Sequence, residues 1–206
     1  AGKLYGQTVR WVLQDPMPAG AAGMMIRSSA PIPGVRIVFS ALDADVAGDI
    51  EEDWASNGFL VVSNARNHRM RDDVPLVVPE LNAGHLDLVH RQPYPDGGAI
   101  VTNPNCSTIG LVMTLKPLAD AFGLKAVSVV TMQAASGAGY PGVPFMDLID
   151  NVIPYISGEE AKMEAEPLKI LGRLAPDGGR VDKASFAVSA TCHRVAVTDG
   201  HMESVS

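Results

Sequence analysis

The sequence predicts an α/β fold, with a parallel-sheet domain of nucleotide-binding type followed by a mixed α/β domain. Two observations predict it. Short β-branched runs end at turn residues and lead, after few connecting residues, into amphipathic helical segments. The string Val101-Thr-Asn-Pro-Asn-Cys-Ser-Thr-Ile-Gly110 then sets a cysteine just past a strand end, at the start of an apolar helix.

Gly34 to Ser40 reads as the first buried strand. Asp43 is expected to cap a helix over 44–56, with Val46, Ile50 and Trp54 on one face and Gly58 ending it. Phe59 to Ser63 is the next strand, and the short links imply a parallel, right-handed crossover. Leu76–Val78 and Ala99–Thr102 look like further strands, separated by a short helix and a Pro/Gly-rich loop. Ile109, Leu111, Val112, Met113 and Leu115 predict a buried helix after Cys106. Beyond it come a strand over 126–133, a helix around 145–151, a charged helix over 159–171, and strands over 184–190 and 194–197. The domain break is expected near Cys106, dividing the chain into 1–105 and 106–206. Ala1-Gly-Lys-Leu-Tyr5 opens no clear element and Met202 to Ser206 stops within one, so both ends are expected to be cut.

The 206 residues are 47% hydrophobic, ample for a core, and no apolar run is long enough to span a bilayer. The formal charge of −7 argues against a nucleic-acid-binding surface. With no secretory leader in the sequence, reduced thiols at Cys106 and Cys192 and a cytoplasmic location are expected.

If the strands are parallel, Ser40, Ser63, Asn103 and Cys106 all lie at carboxyl ends, where open α/β sheets bind ligands. A helix N-terminus favours a thiolate, so Cys106 is a candidate nucleophile as well as a candidate for plain packing. Asn105 and neighbouring backbone N–H groups could hold an oxyanion. Arg69 is either an anion clamp or a solvated loop charge, the second favoured on position alone. Gln133 ends an apolar strand before the flexible Ser136-Gly-Ala-Gly139, a ligand loop or an ordinary turn. His201, after the Asp199-Gly200 turn and seven residues past Arg194, could serve as a general base. Glu159 and Lys162 read as a solvated helix face, and no spacing suggests a metal site.

Taken together, several long strings in fixed order resemble the aspartate-β-semialdehyde dehydrogenase family, in its fungal and archaeal branch. They are Phe39-Ser-Ala-Leu-Asp43, Ser63-Asn-Ala-Arg-Asn-His-Arg69, Asp73-Val-Pro-Leu-Val-Val-Pro79, Asn103-Pro-Asn-Cys-Ser-Thr108, Gln133-Ala-Ala-Ser-Gly-Ala-Gly139, Glu159-Glu-Ala-Lys-Met163 and Arg194 to His201. The resemblance implies a Rossmann-like domain for NADP, lacking its first strand and phosphate loop here, then part of a catalytic and dimerisation domain. It implies Cys106 as nucleophile, His201 as acid–base group and Gln133 positioning the acyl-enzyme. Arg194 and Glu159 would grip the substrate's α-carboxylate and amino group, and Arg69 and Lys162 the phosphate. Ser40, Ser136 and Gly137 would touch NADP. The implied reaction converts aspartyl-4-phosphate to aspartate semialdehyde through a cysteine thioester, on the route to lysine, threonine and methionine. A homo-oligomer, dimer or tetramer, is implied, with no nucleic acid or membrane as partner. Malonyl-CoA reductase shares the scaffold and the thioester step, but Glu159 has no role with that substrate. A non-catalytic assembly partner is the third reading.

Overall fold

The computed structural model describes residues 1–206, which divide into two units. The first, 1–34, holds two single-turn helices, α1 (Tyr5–Thr8) and α2 (Ala19–Ala22), and one isolated antiparallel bridge between Leu4 and Met25.

The second unit, 35–206, carries everything that builds the site. Strands β1 (Ile37–Ser40), β2 (Leu60–Ser63) and β3 (Ala99–Thr102) form a parallel sheet in that order. The register aligns Ser40, Ser63 and Thr102 in one row at the carboxyl end. Helix α3 (Ala44–Ser56) connects β1 to β2, and Gly58, at φ +83°, makes the left-handed step that follows it. Its packed face is Ala47, Glu51, Trp54 and Ala55 rather than the expected Val46, Ile50 and Trp54. Val46 is half exposed, because the face turned to the sheet is centred on Ala47, Glu51 and Trp54 and leaves Val46 at its margin. Trp54 meets Phe59 edge-on at 4.8 Å.

Leu76–Val78, expected as a strand, makes only one parallel bridge, from Leu76 to Thr102, since Pro75 and Pro79 bracket it. The segment 79–98 coils through a short helix α4 (Pro79–Asn82) and 3-10 turns. Helix α5 (Cys106–Phe122) then runs behind the nucleophile position. Its Leu111 and Leu115 pack with Val127, Val129, Met163, Ala190 and Cys192, while Val112 packs with Leu76, Val78 and Ile170. Replacing a fully buried side chain such as Leu111 by alanine costs about 2–5 kcal/mol.

The second sheet has the order β5-β8-β4-β9, with β4 (Ala126–Gln133), β5 (Val152–Ile153), β8 (Ala187–Val195) and β9 (Met202–Val205). The two strands expected over 184–190 and 194–197 are one strand, β8, because its polar residues alternate across a half-covered sheet instead of marking a turn. A single-turn helix α6 (Phe145–Leu148) is shorter than the helix expected there. Helix α7 (Glu159–Ile170) packs on β8 and α5, and the hairpin β6 (Arg173–Leu174) and β7 (Val181–Asp182) follows. No helix is long and apolar enough to cross a membrane.

Two registers set up the site. β4 and β8 are parallel with Gln133 opposite Arg194, so both side chains leave the sheet at one end. β9 is antiparallel to β4 with Met202 opposite Met132, so His201, just before β9, reaches that same end.

Candidate active site

Asn105 is the N-cap of α5, and its Oδ1 accepts hydrogen bonds from Ser107 N (3.0 Å) and Thr108 N (3.3 Å). Cys106 is therefore the first helical residue, and it is exposed. Its Sγ lies 3.4 Å from His201 Nε2. The other ring nitrogen of His201, Nδ1, accepts the backbone N–H of Ala134 at 3.1 Å. Burial, and then the charge of Arg194, lower the His201 pKa against an opposing pull from Glu159. Cys192 is the opposite kind of cysteine: fully buried in the core, its thiol pushed up by burial.

The expected oxyanion donors are only partly free. The N–H groups of Ser107 and Thr108 are occupied by Asn105 Oδ1, and Asn105 Nδ2 donates to Glu159 Oε2 at 2.8 Å. Asn105 is thus first a cap and an anchor, because a helix start leaves N–H groups that need an acceptor.

Helix α7 supplies the acidic frame. Glu159 is buried, not the solvated residue its sequence context suggests. It accepts Lys162 Nζ on one oxygen, and Asn105 Nδ2 and Gln133 Nε2 (3.3 Å) on the other. Burial would raise its pKa, but the bond and charge of Lys162, helped by Gln133 and Asn105, hold it below the ordinary carboxylate value. One helical turn past Met163, Glu166 accepts Arg69 Nη1 at 2.9 Å and the Asn105 backbone N–H at 2.8 Å. Arg69 also donates to Asn64 O, while its Nε is buried without a partner. The guanidinium is therefore buried and already half-spent, neither a solvated loop charge nor a fully open clamp. Lys169, almost completely buried, fastens the loop behind it through the carbonyls of Arg69, Arg71 and Val74 at 2.6–2.8 Å.

Arg194 is buried and donates to Ala134 O at 2.6 Å. Gly137 packs directly on this group: a Cβ there would stand 2.7 Å from His201 Cε1 and 3.0 Å from Arg194 Nη1. Ser136 N–H donates to Thr198 O at 3.0 Å. Ser40 is separate from this cluster. Its hydroxyl donates to Glu51 Oε1 at 2.5 Å, as does Ser63 at 2.6 Å, with His68 Nε2 3.5 Å from Glu51 Oε2. A cavity of about 630 Å³ opens beside Cys106, lined by Arg69, Lys162 and Glu159 on one side and by Leu42, Asp43 and Ala44 at the start of α3 on the other.

Glu166, Glu51 and the Ala134 amide escaped sequence reasoning. Glu166 had a signal: it repeats the face of Glu159 and Lys162 at helical spacing. The other two are visible only once the strands are aligned.

A cysteine thiol and an imidazole thus meet at the carboxyl edge of an α/β fold, with cations beside them. Two family descriptions match in order: "Semialdehyde dehydrogenase, NAD binding domain" over residues 1–89 and "Semialdehyde dehydrogenase, dimerisation domain" over 115–206. The chain is 52% identical to an aspartate-semialdehyde dehydrogenase of Methanothermobacter thermautotrophicus, covering all of this chain and 59% of that protein. It is 47% identical to the Saccharomyces cerevisiae protein of that name, covering 100% and 60%. The structure of the Candida albicans aspartate-semialdehyde dehydrogenase with NADP superposes with a TM-score of 0.91 at 42% identity, over 100% of this chain and 60% of that one. The Vibrio cholerae aspartate-semialdehyde dehydrogenase II complexed with ASA gives 0.68 at 30% identity, over 83% and 55%. The chain belongs to the aspartate-semialdehyde dehydrogenase family, and it spans about three fifths of the length of these curated relatives.

Proposed function

We propose that this chain carries the catalytic residues of an NADP-dependent aspartate-semialdehyde dehydrogenase, acting in lysine, threonine and methionine biosynthesis as part of a homo-oligomer. The observation that carries the reading is the Cys106–His201 pair at 3.4 Å, flanked by Arg194 on one side and by Arg69, Lys162 and Glu159 on the other.

The residues present fit a nicotinamide nucleotide in part. The first turn of α3 borders the cavity at the carboxyl edge of β1, and Gly137 leaves open a space that a side chain would fill. Ser40 keeps its hydroxyl on Glu51, so it would offer the ligand only backbone. Residues 42–44, Ser136 and Gly137 would hold the nucleotide, which when bound supplies or accepts the hydride.

In the reductive direction the Cys106 sulfur attacks the acyl-phosphate carbon, a C–S bond forms, and the C–O bond to phosphate breaks with its electron pair leaving on phosphate. Arg69 and Lys162 receive that leaving charge. The thioester carbon is then reduced to a thiohemiacetal oxyanion. His201 Nε2 lies beside it, and collapse breaks the C–S bond, releasing the aldehyde and restoring the thiolate. Arg194 binds the α-carboxylate and Glu159 the α-ammonium, with Gln133 fixing Glu159 and the acyl group.

The test is NADPH formation from NADP, aspartate semialdehyde and phosphate, by this chain and by a chain of the relatives' full length. We expect phosphate-dependent turnover in the longer chain, lost with Cys106→Ala, and Cys106 alkylated well before Cys192. Turnover of malonyl-CoA without aspartate semialdehyde activity, or equal slow labelling of both thiols, would reverse the reading.

A further inference from the structure

Lys169 spends all three hydrogens of its ammonium on backbone carbonyls: Arg69 O at 2.8 Å, Arg71 O at 2.6 Å and Val74 O at 2.7 Å. A neutral amine has only two donors, so the three-carbonyl arrangement is built for the charged form. The loop it holds binds itself through long turn bonds. Arg69 N to Arg66 O and Val74 N to Arg71 O are both 3.3 Å, and Arg71 N to His68 O is 3.1 Å. The far end of the loop is fixed to β3, where Pro75 O accepts the Thr102 N–H and hydroxyl. Between its ends, α7 holds it. Lys162, Glu166 and Lys169 recur on one face of that helix. Glu166 takes the Arg69 guanidinium and Lys169 takes the Arg69 carbonyl, so the helix grips this residue at both ends. Lys162, one turn back, lines the same cavity as Arg69. The separation of these two cations is therefore set along one helix rather than by the packing of one sheet on the other.

We propose that Lys169 is the positioning residue of the phosphate subsite, tying the 69–74 loop to α7 so that Arg69 and Lys162 stand at the spacing one phosphate needs. The inference rests on the reading of Arg69 and Lys162 as the phosphate-binding cations. It also makes the subsite sensitive to alkali. Burial is the largest influence on Lys169 and brings its pKa down from 10.5 to about 8. Asp72 and Asp73 on the loop favour the charge, while Arg71 and Lys183 oppose it. Burial lowers the pKa of His85, on the 3-10 segment, and the Lys169 charge adds to that. Once deprotonated, the amine loses a donor and turns a lone pair toward a carbonyl, which loosens the loop.

The test uses the chain of the relatives' full length, with phosphate, NADP and aspartate semialdehyde as substrates. In Lys169→Met the KM for phosphate should rise about tenfold or more, while the KM for NADP and kcat at saturating phosphate stay within about twofold. Lys169→Arg keeps the charge and enough donors, and should return phosphate binding to near the wild-type value. A general loss of activity with the phosphate KM unchanged means that Lys169 serves stability alone, and overturns the proposal. Lys162→Met separates the underlying reading. If it leaves the phosphate KM unchanged, Arg69 and Lys162 are not the phosphate cations and the proposal falls with that reading. If it raises the phosphate KM while Lys169→Met does not, only the proposal fails. A measurement on the wild type decides the matter even if Lys169→Met does not fold. The phosphate concentration that half-protects Cys106 from iodoacetamide should rise severalfold as pH passes about 8, and stay flat in Lys169→Arg, which keeps its proton. A flat wild-type profile, or the same rise in Lys169→Arg, overturns the proposal.

Discussion

Two buried carboxylate networks, one within the site and one apart from it, do opposite things. At the carboxyl row of the parallel sheet, Glu51 Oε1 accepts the hydroxyls of Ser40 and Ser63, while Oε2 faces His68 Nε2 at 3.5 Å without a hydrogen bond. On α7, Glu159 and Glu166 reach outward, holding Asn105 by its side chain and its backbone N–H, and engaging Gln133, Lys162 and Arg69. The first network consumes residues that strand position alone would offer to a ligand. The second spends its acceptors on anchoring and so leaves Cys106, His201 and the cavity wall free to react. A polar residue at a strand end is a ligand group only if no neighbour inside the protein has already satisfied it.

The largest expected effect separates the two networks. Glu166→Gln replaces an acceptor by an NH2 group that must face either Arg69 or the Asn105 N–H, both donors. Leaving that buried cation without its partner should cost about 3–5 kcal/mol by denaturant unfolding. Glu51→Gln keeps one carbonyl oxygen for the two hydroxyls and should cost about 1 kcal/mol. It should also leave Cys106 alkylation unchanged, whereas Glu166→Gln should weaken phosphate protection of Cys106. Equal costs, or a change in Cys106 reactivity in the Glu51 variant, would erase the distinction.

A smaller effect tests the open end of the site. Gly137→Ala drives a methyl to within 3 Å of the imidazole and the Arg194 guanidinium. Gly137 does not have a positive φ, so the backbone tolerates alanine and the clash is the whole effect. Displacing the ring by about 1 Å should slow Cys106 acylation about a hundredfold. Thermal stability should change little by comparison.

How much of this was legible in the sequence follows from what each feature depends on. β1, α3, β2, β3, α5, β4 and α7 were readable because their periodicity and punctuation are local. The Cys106 string was readable because a strand end, an Asx cap and an apolar helix succeed each other within ten residues. The fate of Ser40, the burial of Arg69 and the amide on His201 were not, because each depends on a partner far along the chain. Ser40 and Glu51 are 11 residues apart, Ala134 and His201 67, and Arg69 and Glu166 97. The split of β8 into two expected strands failed for another reason: alternation on a half-covered sheet imitates a break.

The smallest effect concerns a carboxylate that belongs to neither network. Glu203 lies on β9 opposite Thr131, with Gly110 of α5 beneath it, and accepts no hydrogen bond from the protein. Burial alone raises its pKa from 4.5 to about 7. Between those values the folded chain holds a proton that the unfolded chain has released, so stability falls as pH rises across that window and levels off above it. Glu203→Gln is neutral throughout and should lack that slope. Its melting temperature should match wild type near pH 4.5 and exceed it by a few degrees, roughly 2–4 °C, near pH 7.5. A gap that does not widen as pH rises would mean that burial is offset and the carboxylate is stabilised after all. It would then resemble Glu159, whose two oxygens both have donors, and the contrast between partnered and unpartnered carboxylates would lose its third member.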